Sequence, residues 1–125
     1  MPRILVIDDD EDICSVLETA LASLGHTVLT ATDGKEGMLR HRATPADLII
    51  TDMFMPNQEG VETIRLLRKE FPTLPIIAMS GRSSADVMLT VARRLGVVDV
   101  LQKPFTVTEL IASVDRALRP EPRSA

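Results

Sequence analysis

Three consecutive aspartates, Asp8-Asp9-Asp10, a lone carboxylate at Asp52, the hydroxyl of Ser80 and the ammonium of Lys103 each close or directly follow an apolar run. Two carboxylates about 5 Å apart repel by roughly 3 kcal/mol at an effective dielectric near 20. A gathered acidic set must therefore hold protons or a cation. Oxygen ligands completed by water suit Mg²⁺ better than zinc. A carboxylate beside that ion can attack phosphorus, while a hydroxyl and an ammonium can hold phosphoryl oxygens. This set is what a transient aspartyl phosphate requires. Each member alone has an ordinary explanation: aspartates that cap a helix and favour its positive end, a loop carboxylate, a solvated lysine, a satisfied strand-end hydroxyl. The conjunction singles out the chemistry.

Convergence of these residues requires a fold that aligns the strand ends. Apolar runs bounded by turn signals recur at 4–7, 27–31, 48–51, 75–79 and 97–101, with helical periodicity between them. Such alternation predicts βαβ units and a parallel sheet. Right-handed crossovers bring the C-terminal ends of its strands to one edge. The first helix is expected to start within 8–12, with Ile13, Val16, Leu17, Ala20, Leu21 and Leu24 inward and Gly25 as its left-handed stop. Asp33 with Glu36 caps the second helix, which Pro45 limits. Asn57 caps a third over 58–70, entered through a turn at Pro56 and Gly60, with Val61, Ile64, Leu67 and Phe71 inward. Ser83 or Ser84 caps the fourth, where Val87, Val91 and Leu95 precede Gly96. The fifth opens on the capping box Thr106-Val-Thr-Glu109 and carries Leu110, Ile111, Val114 and Leu118.

With 125 residues, 45% hydrophobic and 26% charged, the chain reads as one globular domain at 1–119 with a flexible tail at 120–125. A net charge of -4 and a pI near 5.1 give no global attraction to nucleic acid or to an anionic membrane. Cys14 is the single cysteine, no Cys/His cluster has zinc spacing, and no apolar run spans a bilayer. A cytoplasmic location is expected. His26 and His41 read as surface or loop residues.

Four motifs resemble the receiver domain of two-component response regulators: Ile-Leu-Val-Ile-Asp8-Asp9, Asp52-Met-Phe-Met-Pro56-Asn-Gln-Glu-Gly60, Ile-Ile-Ala-Met-Ser80-Gly and Lys103-Pro104-Phe105. The resemblance implies a flavodoxin-like (βα)5 doubly wound sandwich with a five-stranded parallel sheet of order 2-1-3-4-5, an order for which the flavodoxin-like fold already includes a receiver example. It implies a phosphoacceptor at Asp52, Mg²⁺ (or Mn²⁺) held by Asp8, Asp9, Asp52 and the backbone carbonyl of Phe54, and phosphoryl contacts from Ser80 and Lys103. Lys103-Pro104 matches the family's cis peptide. Asp10 receives no chemical duty. The implied activity is phosphoacceptance, not catalysis on an external substrate. A histidine kinase or histidine phosphotransfer protein is the implied donor. A homodimer or effector is expected at helix four, strand five and helix five, where Arg93, Arg94, Asp99, Asp115 and Arg116 lie.

Three rivals compete. A receiver-like module acting without phosphate would keep the fold, and Val100, at a position usually aromatic in the family, favours it; the complete acidic, Ser and Lys set opposes it. Asp8-x-Asp10 faintly resembles haloacid-dehalogenase-like phosphatases, but Asp12 replaces their usual Thr or Val. Gly34-x-x-Gly37 is only a fragment of a nucleotide-binding loop. With no aromatic relay at Val100, activation is expected to run through Ser80 and the loop after strand four. The resemblance implies that Phe54 and Arg82, two residues beyond Asp52 and Ser80, occupy the positions that in the family tune water's access to the acyl phosphate. Phe54→Asn and Arg82→Ala are each expected to change the decay rate of phosphorylated protein; unchanged decay in both would refute their role.

Overall fold

The computed structural model describes residues 2–53, 59–81 and 85–119. Five strands, β1 (Arg3–Ile7), β2 (Thr27–Ala31), β3 (Leu48–Asp52), β4 (Ile76–Ser80) and β5 (Asp99–Gln102), alternate with five helices. These are α1 (Glu11–Ala22), α2 (Gly34–Ala43), α3 (Glu59–Glu70), α4 (Ala85–Arg94) and α5 (Val107–Leu118). The strands form one parallel sheet of order β2-β1-β3-β4-β5. The doubly wound flavodoxin-like expectation holds.

Alternation along each strand divides the core in two. Leu5, Ile7, Ile49, Ile76 and Ala78 face one way and pack with Ile64 and Leu67 of α3, Met38 of α2 and Ala92 of α4. Ile4, Val6, Leu48, Ile50, Ile77 and Met79 face the other way and pack with Leu17 and Leu21 of α1 and Leu110 and Val114 of α5. β3 and β4 are buried along their whole lengths, which is why they read as unbroken apolar runs.

Local signals set the helix ends. Asp10 caps α1, its carboxylate accepting from the amides of Asp12 (2.9 Å) and Ile13 (3.4 Å). Asp33 caps α2 by accepting from the Glu36 amide at 2.7 Å. Thr106 and Glu109 form the expected capping box, each accepting from the other's amide. Caps of this kind contribute about 1 kcal/mol each. Gly25 and Gly96 take positive φ, 94° and 75°, at the turns after α1 and α4. Arg68 of α3 binds the remaining carbonyls nearby, donating to Pro72 (2.8 Å), Leu74 (2.9 Å) and Gly96 (2.9 Å). The expected caps Asn57, Ser83 and Ser84, the Pro56 turn and the tail at 120–125 lie outside the described residues.

Three expectations need correction. Val16 and Leu24 are exposed, at 62% and 48%; Cys14 takes the inward place instead, because Val16 stands about 100° round the helix from Leu17. β5 begins at Asp99 rather than at 97, since Val98 turns to solvent before the edge strand starts. His41 is no surface residue. It is buried in α2, where its Nδ1 accepts from the Ala46 amide at 3.0 Å and its ring meets Phe71 edge-on at 4.5 Å. The Gly34-x-x-Gly37 fragment serves packing of α2: a Cβ on Gly34 would stand 1.7 Å from Thr63 Oγ1 of α3.

Burial holds the His41 pKa below its usual value, against a smaller opposing pull from Glu70. The unfolded chain therefore takes up the proton first. The stability this neutral imidazole contributes is complete above about pH 6.5 and falls as pH drops toward the lower folded pKa. His41→Asn keeps an acceptor near the Nδ1 position but cannot titrate. In thermal melts it is expected to be less stable than wild type at pH 7 by about 1 kcal/mol from the lost ring contact, with a shallower decline between pH 6.5 and 5. Parallel declines in the two proteins would refute the role of His41 protonation.

Candidate functional site

The C-terminal ends of β1, β3, β4 and β5 meet at one edge of the sheet. Register sets Thr51 beside Ile7 and Ala78, Asp52 beside Met79, and Ser80 beside Gln102. Asp8 follows β1 with its amide bonded to the Ala31 carbonyl at 3.0 Å. Its side chain is fully buried, one oxygen accepting from the Asp10 amide at 2.9 Å and the other from Lys103 Nζ at 2.7 Å. The same ammonium lies 3.3 Å from Asp52 Oδ2. Asp52 is buried at 4% exposure, whereas Asp9 is exposed. Asp8, Asp9 and Asp52 each bring a carboxylate oxygen within 4.8 Å of the others.

β5 is joined to β4 at this edge by the Lys103 amide, which bonds the Ser80 carbonyl at 2.8 Å. Ser80 is 1% exposed, and its Oγ has no hydrogen-bond partner among the described residues. A buried hydroxyl left so costs free energy until a ligand or water supplies an acceptor or donor. The Lys103-Pro104 peptide is cis.

The structure thus brings Asp8, Asp9, Asp52, Ser80 and Lys103 together and sends Asp10 to the helix cap. That separation also removes the second aspartate from the phosphatase-like reading. Phe54 and Arg82 lie outside the described residues.

The family model for the response regulator receiver domain matches residues 4–115. The chain belongs to the receiver family. Among curated relatives, the transcriptional regulatory protein PrrA of Mycobacterium leprae is 39% identical over 118 residues, covering 94% of this chain and 50% of that protein. The DNA-binding transcriptional regulator NtrC of Azospirillum brasilense is 43% identical over 116 residues, covering 92% of this chain and 24% of the relative. The receiver therefore spans half or less of these relatives' length. Among solved structures, a response regulator receiver domain from Clostridium thermocellum superposes with a TM-score of 0.86 at 31% identity, covering 94% of both chains. The receiver domain of NtrX from Brucella abortus gives 0.88 at 28% identity, covering 94% and 99%. As a receiver, this chain is a signalling domain of the two-component kind. No helix among its described residues is long and apolar enough to cross a membrane.

Electrostatics of the receiver site follow from burial. Loss of solvent pushes the Asp8 pKa above its ordinary value; the Lys103 and Asp10 hydrogen bonds pull it back in part, and Asp52 adds to the rise. Loss of solvent also opposes the Lys103 charge, but two carboxylates outweigh it and its pKa stands above the usual lysine value. Both partners thus shift upward for different reasons: Asp8 through burial, Lys103 because its ammonium faces two acids. Behind them, burial and the Asp8 charge push the Cys14 thiol up to about 11, so it stays protonated and inert at neutral pH.

Two surroundings lay beyond the sequence reading. Ile13, Val16, Leu17 and Phe105 form an apolar groove beside Lys103 and Gly81. A helical stripe cannot tell an inward face from an exposed groove of the same composition. On the opposite flank, Asp99 accepts from Ser113 Oγ at 2.8 Å and pairs with Arg116. Burial opposes its charge, but these partners and the Val100 amide outweigh it and hold its pKa low. Asp99 and Arg116 are thereby engaged within the chain. Val100 pairs with Ala78 and packs partly buried against the Ile64 side of the core.

The raised Asp8 pKa means that its contribution to stability is complete below about 3.8 and is lost as pH rises through the folded pKa. Above that pKa, charged Asp8 weakens the fold. Asp8→Asn is expected to be more stable than wild type at pH 7 without divalent cation, with the gain vanishing toward pH 4. A variant less stable than wild type across that range in calorimetric melts would refute this balance.

Proposed function

We propose that this receiver takes a phosphoryl group onto Asp52 from the phosphohistidine of a kinase or phosphotransfer protein. The observation that supports it best is the placement of Lys103 Nζ against both Asp8 and Asp52 at the edge where the Ser80 hydroxyl has no partner among the described residues. An Asp52 oxygen attacks phosphorus, the bond to the donor imidazole breaks, and an acyl phosphate forms. Lys103 neutralises the incoming phosphoryl oxygens and Ser80 Oγ donates to one of them. The three clustered carboxylates offer the hard oxygen ligands that Mg²⁺ takes. The ion, when bound, offsets the charge that repels an anionic phosphoryl group from a carboxylate. Asp8 and Asp9 would hold it, with Asp52 as the shared ligand.

On this reading residues 1–119 form the receiver and 120–125 a tail. The domain catalyses at most its own phosphoryl transfer and dephosphorylation, in the cytoplasm. Ser80, drawn to the phosphoryl group, passes the change to α4, β5 and α5, whose outer face contacts a second receiver or an effector. The names of PrrA and NtrC suggest a transcriptional output elsewhere in a longer regulator.

Purified protein treated with a small phosphodonor is expected to gain one acid-labile phosphate per chain, with Mg²⁺ required and Asp52→Asn unlabelled. Ser80→Ala should label but fail to change partner affinity. Unchanged labelling of Asp52→Asn would overturn the assignment. Absence of label in wild type would instead favour the phosphate-independent module that Val100 allows.

A further inference from the structure

Gly60 was expected to shape a turn. It instead lies in the first turn of α3, buried, and is not among the described glycines with positive φ, Gly25 and Gly96. Its backbone conformation therefore does not require glycine, and helix propensity alone would favour alanine there. What excludes alanine is contact. A Cβ at Gly60 would stand 2.1 Å from the Asp52 carbonyl oxygen, 2.5 Å from Met53 Cα and 2.6 Å from Met53 C. All three are backbone atoms, so no change of rotamer relieves the overlap. At Gly34 and Gly37 the corresponding neighbours are side-chain atoms, Thr63 Oγ1 and Ile7 Cδ1.

The peptide that Gly60 touches is the one that carries Asp52. Met53 is 1% exposed, and its amide bonds the Met79 carbonyl at 2.9 Å. The end of β3 is thus held to β4 through that hydrogen bond and is abutted by the bare face of Gly60. Asp52 has only two side-chain torsions between this peptide and its carboxylate, so a shift of the peptide passes into the aim of the carboxylate. Its distance to Lys103 Nζ, 3.3 Å, leaves little slack.

We propose that Gly60 is a positioning residue: the absence of its side chain seats the first turn of α3 against the Asp52–Met53 peptide and so aims Asp52 at Lys103 and at the cluster of Asp8 and Asp9. This rests on the reading of Asp52 as phosphoacceptor and metal ligand. A misplacement of about 1 Å at a reacting atom is enough to slow a reaction by roughly 100-fold.

The test compares Gly60→Ala with Gly34→Ala, which also crowds α3 but away from Asp52. Both are measured in trimethylamine N-oxide, which favours the compact state, at matched folded fraction. Gly60→Ala is expected to bind Mg²⁺ at least tenfold more weakly by calorimetry and to label at least tenfold more slowly. Its Met53 amide should exchange at least tenfold faster relative to that of Ile49, which bonds Pro75 at the other end of β3. Gly34→Ala should stay within twofold of wild type in all three.

Gly60→Ala within twofold of wild type, or equal losses in Gly34→Ala, would overturn the proposal. So would a Gly60→Ala chain that stays unfolded where Gly34→Ala folds, since the glycine would then be purely structural. A wild type that takes no label on Asp52 would sink the phosphoacceptor reading, and the Met53 exchange would still decide the role of Gly60.

Discussion

One ammonium holds the functional edge of the sheet together. Lys103 reaches Asp8 and Asp52, 95 and 51 residues away in sequence, and so joins the ends of β5, β1 and β3. Without a cation between them, two buried carboxylates at that edge would drive each other toward protonation. With it, they stay close enough to share a further ligand. The ion pair is poor support for stability, because taking these charges from water offsets much of their attraction. Its value is arrangement: acids that would otherwise disperse are kept within reach of one another.

The rest of the architecture serves that edge. A parallel sheet covered on both faces puts every strand's C-terminal end on the same side, and the central strands β1, β3 and β4 bring the most buried of those ends. The two cores hold the strands in register, so the separation of Asp8, Asp52 and Ser80 follows from strand order and pleat. Stability is spent at the site, in a buried Asp8 and a Ser80 hydroxyl without a partner among the described residues, and recovered in caps and apolar layers remote from it.

The central strands were readable because double burial writes them as continuous apolar runs, and helix ends were readable where a cap lies within three or four residues. Other features depend on partners that no local pattern in the sequence marks. Three identical aspartates differ only in where their side chains go: Asp8 inward, Asp9 outward, Asp10 onto the helix amides. The burial of His41 is created by Phe71 and the Ala46 amide, neither of which marks it in sequence. Val16 carries the apolar signal of a core residue while lining an open groove. Gly60 looked like punctuation because a close backbone approach leaves no local pattern. The family motifs supplied the strand order, which periodicity alone did not contain, and the roles proposed for Asp52, Ser80 and Lys103.

The burial of Cys14 has a practical side. It is the chain's single cysteine, and the sequence holds no tryptophan or tyrosine. Its protonated thiol, turned toward the Asp8 carbonyl at 3.4 Å, is shut away from reagents in the folded state. A cysteine introduced on the surface of α5 would therefore be the one fast-reacting thiol. An introduced tryptophan would emit against a dark background. The native domain is close to a blank slate for spectroscopic probes, and a single label could follow the outer face of α4, β5 and α5 without a competing signal from the rest of the molecule.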